Sequence, residues 1–387
     1  MCGIAGVLSS DPSSSQRLDR MLASLALRGP DSQGNSSWPS AWLGHRRLAI
    51  LDLSPAGHQP MLSDDGLVGL SFNGCAYNFV QLRAELESHG HSFRSNCDTE
   101  VLLRGYLQWG IDELAQRLHG MFAFAIWDQR VPCLYLVRDR MGVKPLVYAS
   151  SGASFAFAST PGALNAAGFG STVNPNAVLE FLDFGYVKDP NCIYEGMQKL
   201  LPGHILEWNN GSISLRPYWK LPQPSEPGGI SFEQAVEKAE ALLIEAVRLR
   251  LQSDVPIAAL LSGGIDSALV CWAMKKLNAN IAAYTVGTPG DSSDETAAAA
   301  FTARAIGIPH HVISLDSTNL LDMSTLTAAF SEPFGCQSAF GMLRVSQAIR
   351  ANGTVLLTGD GADDVFLGYP YFLNAWRAQN LAYALPA

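Results

Sequence analysis

The apolar pattern of this chain changes character once, across a stretch dense in proline and glycine, and that change constrains the fold more than any other feature. Up to roughly residue 215, short apolar runs alternate with turn residues, as in Leu43 to Leu51, Leu67 to Phe72, Met121 to Trp127 and Cys133 to Val137. These predict strands of a β-rich layer. Amphipathic spacing predicts helices at Gln16 to Leu27 and Asn78 to His89, and a third at Thr99 to Trp109 opened by an Asp98-Thr99 cap. Together they imply packed αββα layers. Leu221 to Gly229 reads Leu-Pro-Gln-Pro-Ser-Glu-Pro-Gly-Gly, the composition of a linker. Beyond it, helical patterns at Phe232 to Leu251 and Asp266 to Leu277 interleave with apolar strands at Val255 to Leu261, Ile281 to Val286, His311 to Leu315 and Thr354 to Leu357. Strand alternating with helix implies an α/β domain with a doubly wound parallel sheet. The expected domains are residues 2–215 and 230–387. A length of 387 residues suits two cores better than one.

Composition narrows the function classes. A net charge of −9 with no Lys/Arg block argues against nucleic acid as partner and for small-molecule chemistry. The seven cysteines are odd in number and lack CxxC spacing, so neither a disulfide framework nor a zinc site is expected, and a reducing compartment is. The N-terminus has no signal-peptide pattern, and no apolar run approaches ~18 residues. The expectation is a soluble, cytoplasmic protein with no membrane partner.

Cys2 follows the initiator methionine. Removal of Met1 would leave a thiol beside a free α-amine, whose unperturbed pKa of about 7.7–8.0 suits it to accept the thiol proton. Alone, a cysteine at position 2 is only a small residue. Downstream, however, lie Arg28-Gly29-Pro30-Asp31, His45-Arg46-Arg47-Leu48-Ala49-Ile50, Asn73-Gly74 followed by Tyr77-Asn78, and Cys97-Asp98-Thr99-Glu100. Further on come Gly120 to Phe124, Arg138-Asp139-Arg140 and Leu201-Pro202-Gly203-His204. In these motifs the chain resembles the class II glutamine amidotransferases, N-terminal-nucleophile enzymes that include the asparagine synthetases. The resemblance implies that Cys2 attacks the glutamine side-chain amide and that the oxyanion is bound by the Asn73 side-chain NH₂ and the Gly74 N–H. It also implies that Arg47 holds the substrate carboxylate, that Asp98 meets the α-ammonium, and that Leu48, Ala49, Ile50 and Leu51 line the pocket. Asparagine synthetases normally read Asn-Gly-Glu where this chain has Asn73-Gly74-Cys75, so weaker glutamine binding is expected. Cys75 is then either a neutral, half-buried small residue or a second nucleophile. His45, His58, His89 and His91 lack metal-ligand spacing, and Cys133 and Cys271 read as core thiols.

Ser262-Gly263-Gly264-Ile265-Asp266-Ser267 lies between an expected strand and helix, where backbone N–H groups favour a polyphosphate. It is not a Walker A loop, since the Gly-Lys-Ser/Thr ending is absent. It resembles the pyrophosphatase loop of synthetases that release AMP and pyrophosphate, and Thr358-Gly359-Asp360-Gly361-Ala362-Asp363-Asp364 is similar to their second acidic loop. The resemblance implies ATP and Mg²⁺: Leu260 and Val286 beside the adenine, Ser262, Gly263, Gly264, Ser267, Thr358 and Gly359 on the nucleotide, and Asp266 and Asp363 on the metal. The catalytic Glu of relatives is Asp360 here, about 1.5 Å shorter in reach. The expected reaction passes ammonia from glutamine along a buried path to an adenylated carboxylate, with aspartate giving asparagine as the leading case. Relatives continue well beyond the second acidic loop, so a fragment, a second chain completing the synthetase domain, or a defective synthetase half are all open, as is a homodimer. Two other readings are a glutamine-binding subunit without synthesis and a cyclase of β-lactam-synthetase type, against which Cys2 argues.

Overall fold

Strand Gly120–Asp128 shows why the N-terminal apolar runs are continuous rather than alternating. Its Phe122, Phe124 and Ile126 pack with Leu82, Leu86, Val101 and Tyr106 of helices Phe79–Ser88 and Asp98–Arg117. The intervening Ala123, Ala125 and Trp127 pack with Ile4, Leu43, Phe155 and Phe157 of a second sheet. A strand covered on both faces must be apolar at every position, and each large side chain so buried contributes about 1.5–3 kcal/mol.

The computed structural model describes residues 1–152, 154–223, 229–287, 294–314, 323–336, 338–350 and 353–384. They divide into two units, the first holding the described residues up to 223 together with 323–336, the second holding the rest. The stretch 323–336, which the sequence pattern puts in the second domain, is fastened to the first unit by Glu332. That carboxylate pairs with Lys199 at 2.7 Å and accepts the Ile193 N–H at 2.9 Å. Residues 224–228 of the linker and Leu315 of an expected strand lie outside the described residues.

In the first unit, one six-stranded antiparallel sheet runs in the order Met197–Lys199, Val147–Ser151, Ser154–Ala158, Gly3–Leu8, Ala41–Arg47, Ser32–Trp38. The other runs Ser212–Pro217, His204–Asn209, Cys133–Arg138, Gly120–Asp128, Val68–Ala76, Met61–Leu62. The outer face of the first is covered by helices Ser14–Ser24 and Pro161–Ala166 through Leu18, Met21, Leu22 and Leu164. This is the αββα sandwich that the sequence implies. Two boundaries differ. The strand expected to Leu51 stops at Arg47, because the Arg47 guanidinium draws the carbonyls of Leu51, Asp52 and Ser54 around itself and curls the chain. The third helix begins at Asp98 rather than Thr99, with Cys97 preceding it and no side-chain cap. It reaches Arg117 across a break at Gly110, whose φ of 74° admits glycine readily.

The second unit carries a four-stranded parallel sheet in the order His310–Ser314, Ala283–Gly287, Ile257–Leu260, Val355–Leu357. Helices Phe232–Arg250, Ile265–Lys276 and Thr296–Ile306 supply Val247, Cys271, Met274 and Ala303 to one face. Helix Ser338–Ile349 supplies Val345 and Ile349 to the other. A capping box between Ser231 and Gln234 opens the first of these helices. Among the described residues no helix is long and apolar enough to cross a membrane.

Candidate active sites

Gly3 pairs with Arg46 at the end of the central strand pair, so Cys2 and the residues after Arg47 are brought together by register alone. The Leu48 N–H donates to Cys2 Sγ at 3.3 Å, and Sγ lies 3.6 Å from the Leu48 carbonyl. Burial pushes the Cys2 thiol up; the Leu48 N–H, the terminal ammonium and Arg47 oppose this, while Asp98 adds to it. The group therefore stays a thiol near neutrality and needs a base at the moment of attack.

The motif around Gly29 packs against the chain at Arg46 to Ala49. A Cβ on Gly29 would lie 2.3 Å from the Arg46 carbonyl carbon, so only glycine lets this turn lie against the strand. Asp31 then accepts the Ala49 N–H at 2.8 Å, and its own N–H donates to the Arg47 carbonyl at 3.0 Å, which pins Leu48 to Leu51. Arg28 Nε donates to the Cys2 carbonyl at 3.0 Å.

Asn73 sits in strand Val68–Ala76 and is 1% exposed, yet neither its Oδ1 nor its Nδ2 has a hydrogen-bond partner among the described residues. A buried amide left unsatisfied on both atoms costs free energy, so this place suits a further hydrogen-bonding group. Gly74 next to it opposes Phe122, and a Cβ there would lie 2.3 Å from the Met121 carbonyl oxygen. Cys75 is half-buried.

Asp98 is 5% exposed and accepts the Ala76 N–H at 3.0 Å, which ties the helix start to the strand bearing Asn73. Burial raises its carboxyl to about 6, against the Ala76 and Thr99 N–H groups and Arg47, which lower it. A carboxylate held in this state gains from any cation that reaches it. Neighbouring His45 is buried and held down to about 3, chiefly by burial, and bonds the Phe72 carbonyl at 3.0 Å through Nε2 as a neutral packing ring. Cys133 and Cys271, pushed up to about 11 by burial, are unreactive core thiols.

In the second unit, parallel pairing of Ile257–Leu260 with Val355–Leu357 delivers both expected nucleotide loops to the same C-terminal edge of the sheet, where open α/β sheets bind ligands. They touch: a Cβ on Gly359 would lie 2.7 Å from Ser267 N and 2.9 Å from Asp266 Cβ. Ser267 Oγ accepts the Ser262 N–H at 3.1 Å and lies 2.8 Å from Ser262 Oγ, which in turn accepts the Gly264 N–H at 3.1 Å. The Gly263 N–H donates to Glu295 at 3.0 Å. Asp266 stands in the first turn of helix Ile265–Lys276 and Asp363 in that of Ala362–Phe366, while Asp360 accepts from Thr358 Oγ1 at 2.8 Å. Leu260 ends its strand, and Val286 stands one residue before the end of the neighbouring strand Ala283–Gly287. Among the described residues no three His, Cys, Asp or Glu side chains converge as a metal site.

Residues 1–219 match the glutamine amidotransferase domain model and residues 238–387 the asparagine synthase model. The chain is 32% identical to a putative asparagine synthetase [glutamine-hydrolyzing] of Methanocaldococcus jannaschii, covering 97% of this chain and 77% of that protein. The chain belongs to the asparagine synthetase family. Asparagine synthetase [glutamine-hydrolyzing] 1 of Bacillus subtilis is 31% identical across 95% of this chain and 59% of its own length. Amidase chry2 of Gibberella zeae is 32% identical across 95% and 57%. The chain thus spans about three-fifths of the length of several asparagine synthetase relatives that it matches.

Two residues beside these sites were not singled out in the sequence. Glu295 takes a loop N–H in the place of an anion, and only its distance from Gly263 in space reveals it. Lys144 lies six residues beyond Arg138, and the Arg138-Asp139-Arg140 turn was the available signal.

Proposed function

We propose that this chain carries the glutaminase part and the ATP-binding loops of a glutamine-dependent amidotransferase. Cys2, freed of Met1, attacks the glutamine side-chain amide while its α-amine takes the thiol proton and returns it to the departing ammonia. Asn73 Nδ2 and the Gly74 N–H receive the oxyanion, Arg47 the substrate carboxylate, Asp98 the substrate ammonium, and Leu48 to Leu51 line the pocket, with Cys75 beside them. The observation that carries this reading is the buried Asn73 amide, neither atom of which has a hydrogen-bond partner among the described residues. It is a donor held ready for an acceptor that appears only during reaction.

Ammonia then displaces AMP from an ATP-activated carboxylate, aspartate being the first candidate and asparagine the product. Ser262, Gly263, Gly264, Ser267, Thr358 and Gly359 hold the nucleotide with Leu260 and Val286 at its base. Asp266 and Asp363 suit Mg²⁺, which is ordinarily bound through one or two carboxylates plus phosphate oxygens. Asp360 would serve the acceptor side. An acceptor other than aspartate is the second reading; Asp360, where asparagine synthetases have Glu, and an amidase-named relative favour it.

The test is to measure glutamate and pyrophosphate separately on the expressed chain with aspartate and a panel of other carboxylic acids. Glutamate formation lost completely in Cys2→Ala supports the first half. A wild-type chain, lacking Met1, that leaves glutamine intact sinks it.

A further inference from the structure

The backbone at Asp52 lies in the left-handed region, with φ at 53°, and the residue is buried. Aspartate tolerates that conformation better than most residues, yet it still costs free energy and persists only where surrounding contacts over-determine it. The Asp52 carbonyl accepts from the Arg47 guanidinium, which also donates to the carbonyls of Leu51 at 3.2 Å and Ser54 at 3.3 Å. The chain wraps this guanidinium so closely that a Cβ at Gly57 would lie 2.1 Å from Arg47 Nη2. On its side chain, Asp52 Oδ1 accepts the Ser54 N–H at 3.1 Å together with the Ser54 hydroxyl. Oδ2 reaches out of the loop and accepts the Asn96 N–H at 2.7 Å.

Asn96 stands two residues before Asp98, in a turn fastened from its other side by Glu100. That carboxylate accepts the Arg94 N–H at 3.0 Å, the Ser95 N–H at 2.8 Å and the Ser95 hydroxyl at 2.7 Å. Asp98 itself is tied to the strand bearing Asn73 through the Ala76 N–H. The Asp52 side chain thus joins the loop that curls round Arg47 to the turn that presents Asp98. Each of those two residues has its own local fastening, so what the bond from Asp52 to Asn96 adds is control of their separation. Separation matters for a ligand whose carboxylate and ammonium sit on one carbon, because both anchors must meet it at once.

We propose that Asp52 is a positioning residue that sets the spacing of Arg47 and Asp98, and thereby selects amides that carry both charges on one carbon over amides that carry only one. The proposal rests on the glutaminase reading, in which Arg47 takes the carboxylate of glutamine and Asp98 its ammonium. With the clamp in place, both anchors meet the substrate without further ordering. Without it, a ligand held at both ends must first align the two loops, whereas a ligand held at one end need not.

The test compares L-glutamine with glutaramate, the same amide lacking the α-ammonium. Both are titrated onto the full chain carrying Cys2→Ala, which cannot turn either over, and followed by ligand-observed NMR. Adding Asp52→Gly removes the carboxylate while leaving a residue that adopts positive φ freely. It should weaken glutamine binding roughly tenfold and glutaramate binding by less than about twofold. Equal weakening of the two ligands overturns the proposal, since Asp52 would then only hold Arg47 in place, and so does unchanged binding of glutamine. If Asp52→Gly fails to fold, Asp52→Asn decides: it tolerates the same backbone and keeps one acceptor oxygen, so it must still weaken glutamine more than glutaramate, and equal effects overturn the proposal. A Cys2→Ala chain that binds glutamine, beside a wild type that leaves glutamine intact, would sink the glutaminase reading alone. A Cys2→Ala chain that does not bind glutamine overturns both.

Discussion

The two candidate sites handle their polar groups in opposite ways. In the N-terminal unit, Asn73 is buried with both amide atoms unpartnered among the described residues, and burial raises the Asp98 carboxyl to about 6. In the C-terminal unit, the Ser262-to-Ser267 loop satisfies its own N–H groups through Ser262, Ser267 and Glu295. The first site is organised before its ligand arrives and is destabilised by that readiness; the second is quiet until a ligand replaces its internal partners. Rate should therefore be lost at the first site without loss of stability, and stability should be lost at the second without loss of glutaminase rate.

The largest departure expected is in Asn73→Ala. Removing one oxyanion donor ordinarily lowers kcat by about 100–1000-fold. Because the amide has no partner among the described residues, the variant should lose no more than about 1 kcal/mol of stability. Steady-state glutaminase kinetics and urea unfolding check the two halves. A large loss of stability with intact kcat would break the contrast between the sites.

Asp98→Asn sharpens it through pH. The folded-state carboxyl is raised from 3.8 to about 6, so the fold binds a proton that the unfolded chain releases. The associated stability is fully present below about pH 4 and is lost as pH rises through 6, which leaves the ligand-free protein up to about 3 kcal/mol less stable at pH 7. Asn mimics the uncharged acid. Asp98→Asn should therefore melt above wild type at pH 7 and approach it at pH 4, while glutamine binding, followed by calorimetry, is lost because the substrate ammonium has no counter-charge. A variant that melts lower at both pH values would show that Asp98 is there for packing.

What could be read in advance followed from periodicity and motif. The apolar run of Met121 to Trp127 announced a strand of a β-rich layer, and the strand–helix alternation after the linker announced the parallel sheet. The identity of the residues around Cys2 was legible too, because the Gly29 and Gly74 positions admit no side chain and so leave a fixed imprint. Less legible was whatever depends on a partner distant in sequence. Strand Ser32–Trp38 carries Gln, Gly, Asn and three Ser, a composition that suggests a loop; it is a strand because Ala41–Arg47 pairs with it. The end of strand Ala41–Arg47 was misplaced by four residues because the Arg47 side chain, rather than any turn residue, bends the chain. The burial of Lys144 was hidden because the residue it meets, Met1, lies more than a hundred residues earlier.

The smallest effect expected is in Ser267→Ala. The hydroxyl accepts the Ser262 N–H and meets Ser262 Oγ at the start of helix Ile265–Lys276, so its loss removes the loop's internal fastening and leaves one N–H unmet. Such a deletion costs about 1 kcal/mol. It should appear as faster amide hydrogen exchange confined to the loop and the first turn of that helix in the full chain, with glutamine hydrolysis unchanged and ATP-dependent protection of the loop weakened. If exchange stayed as in wild type while ATP protection vanished, the loop would be held open by its backbone alone, and the second site would then be as ready before its ligand as the first.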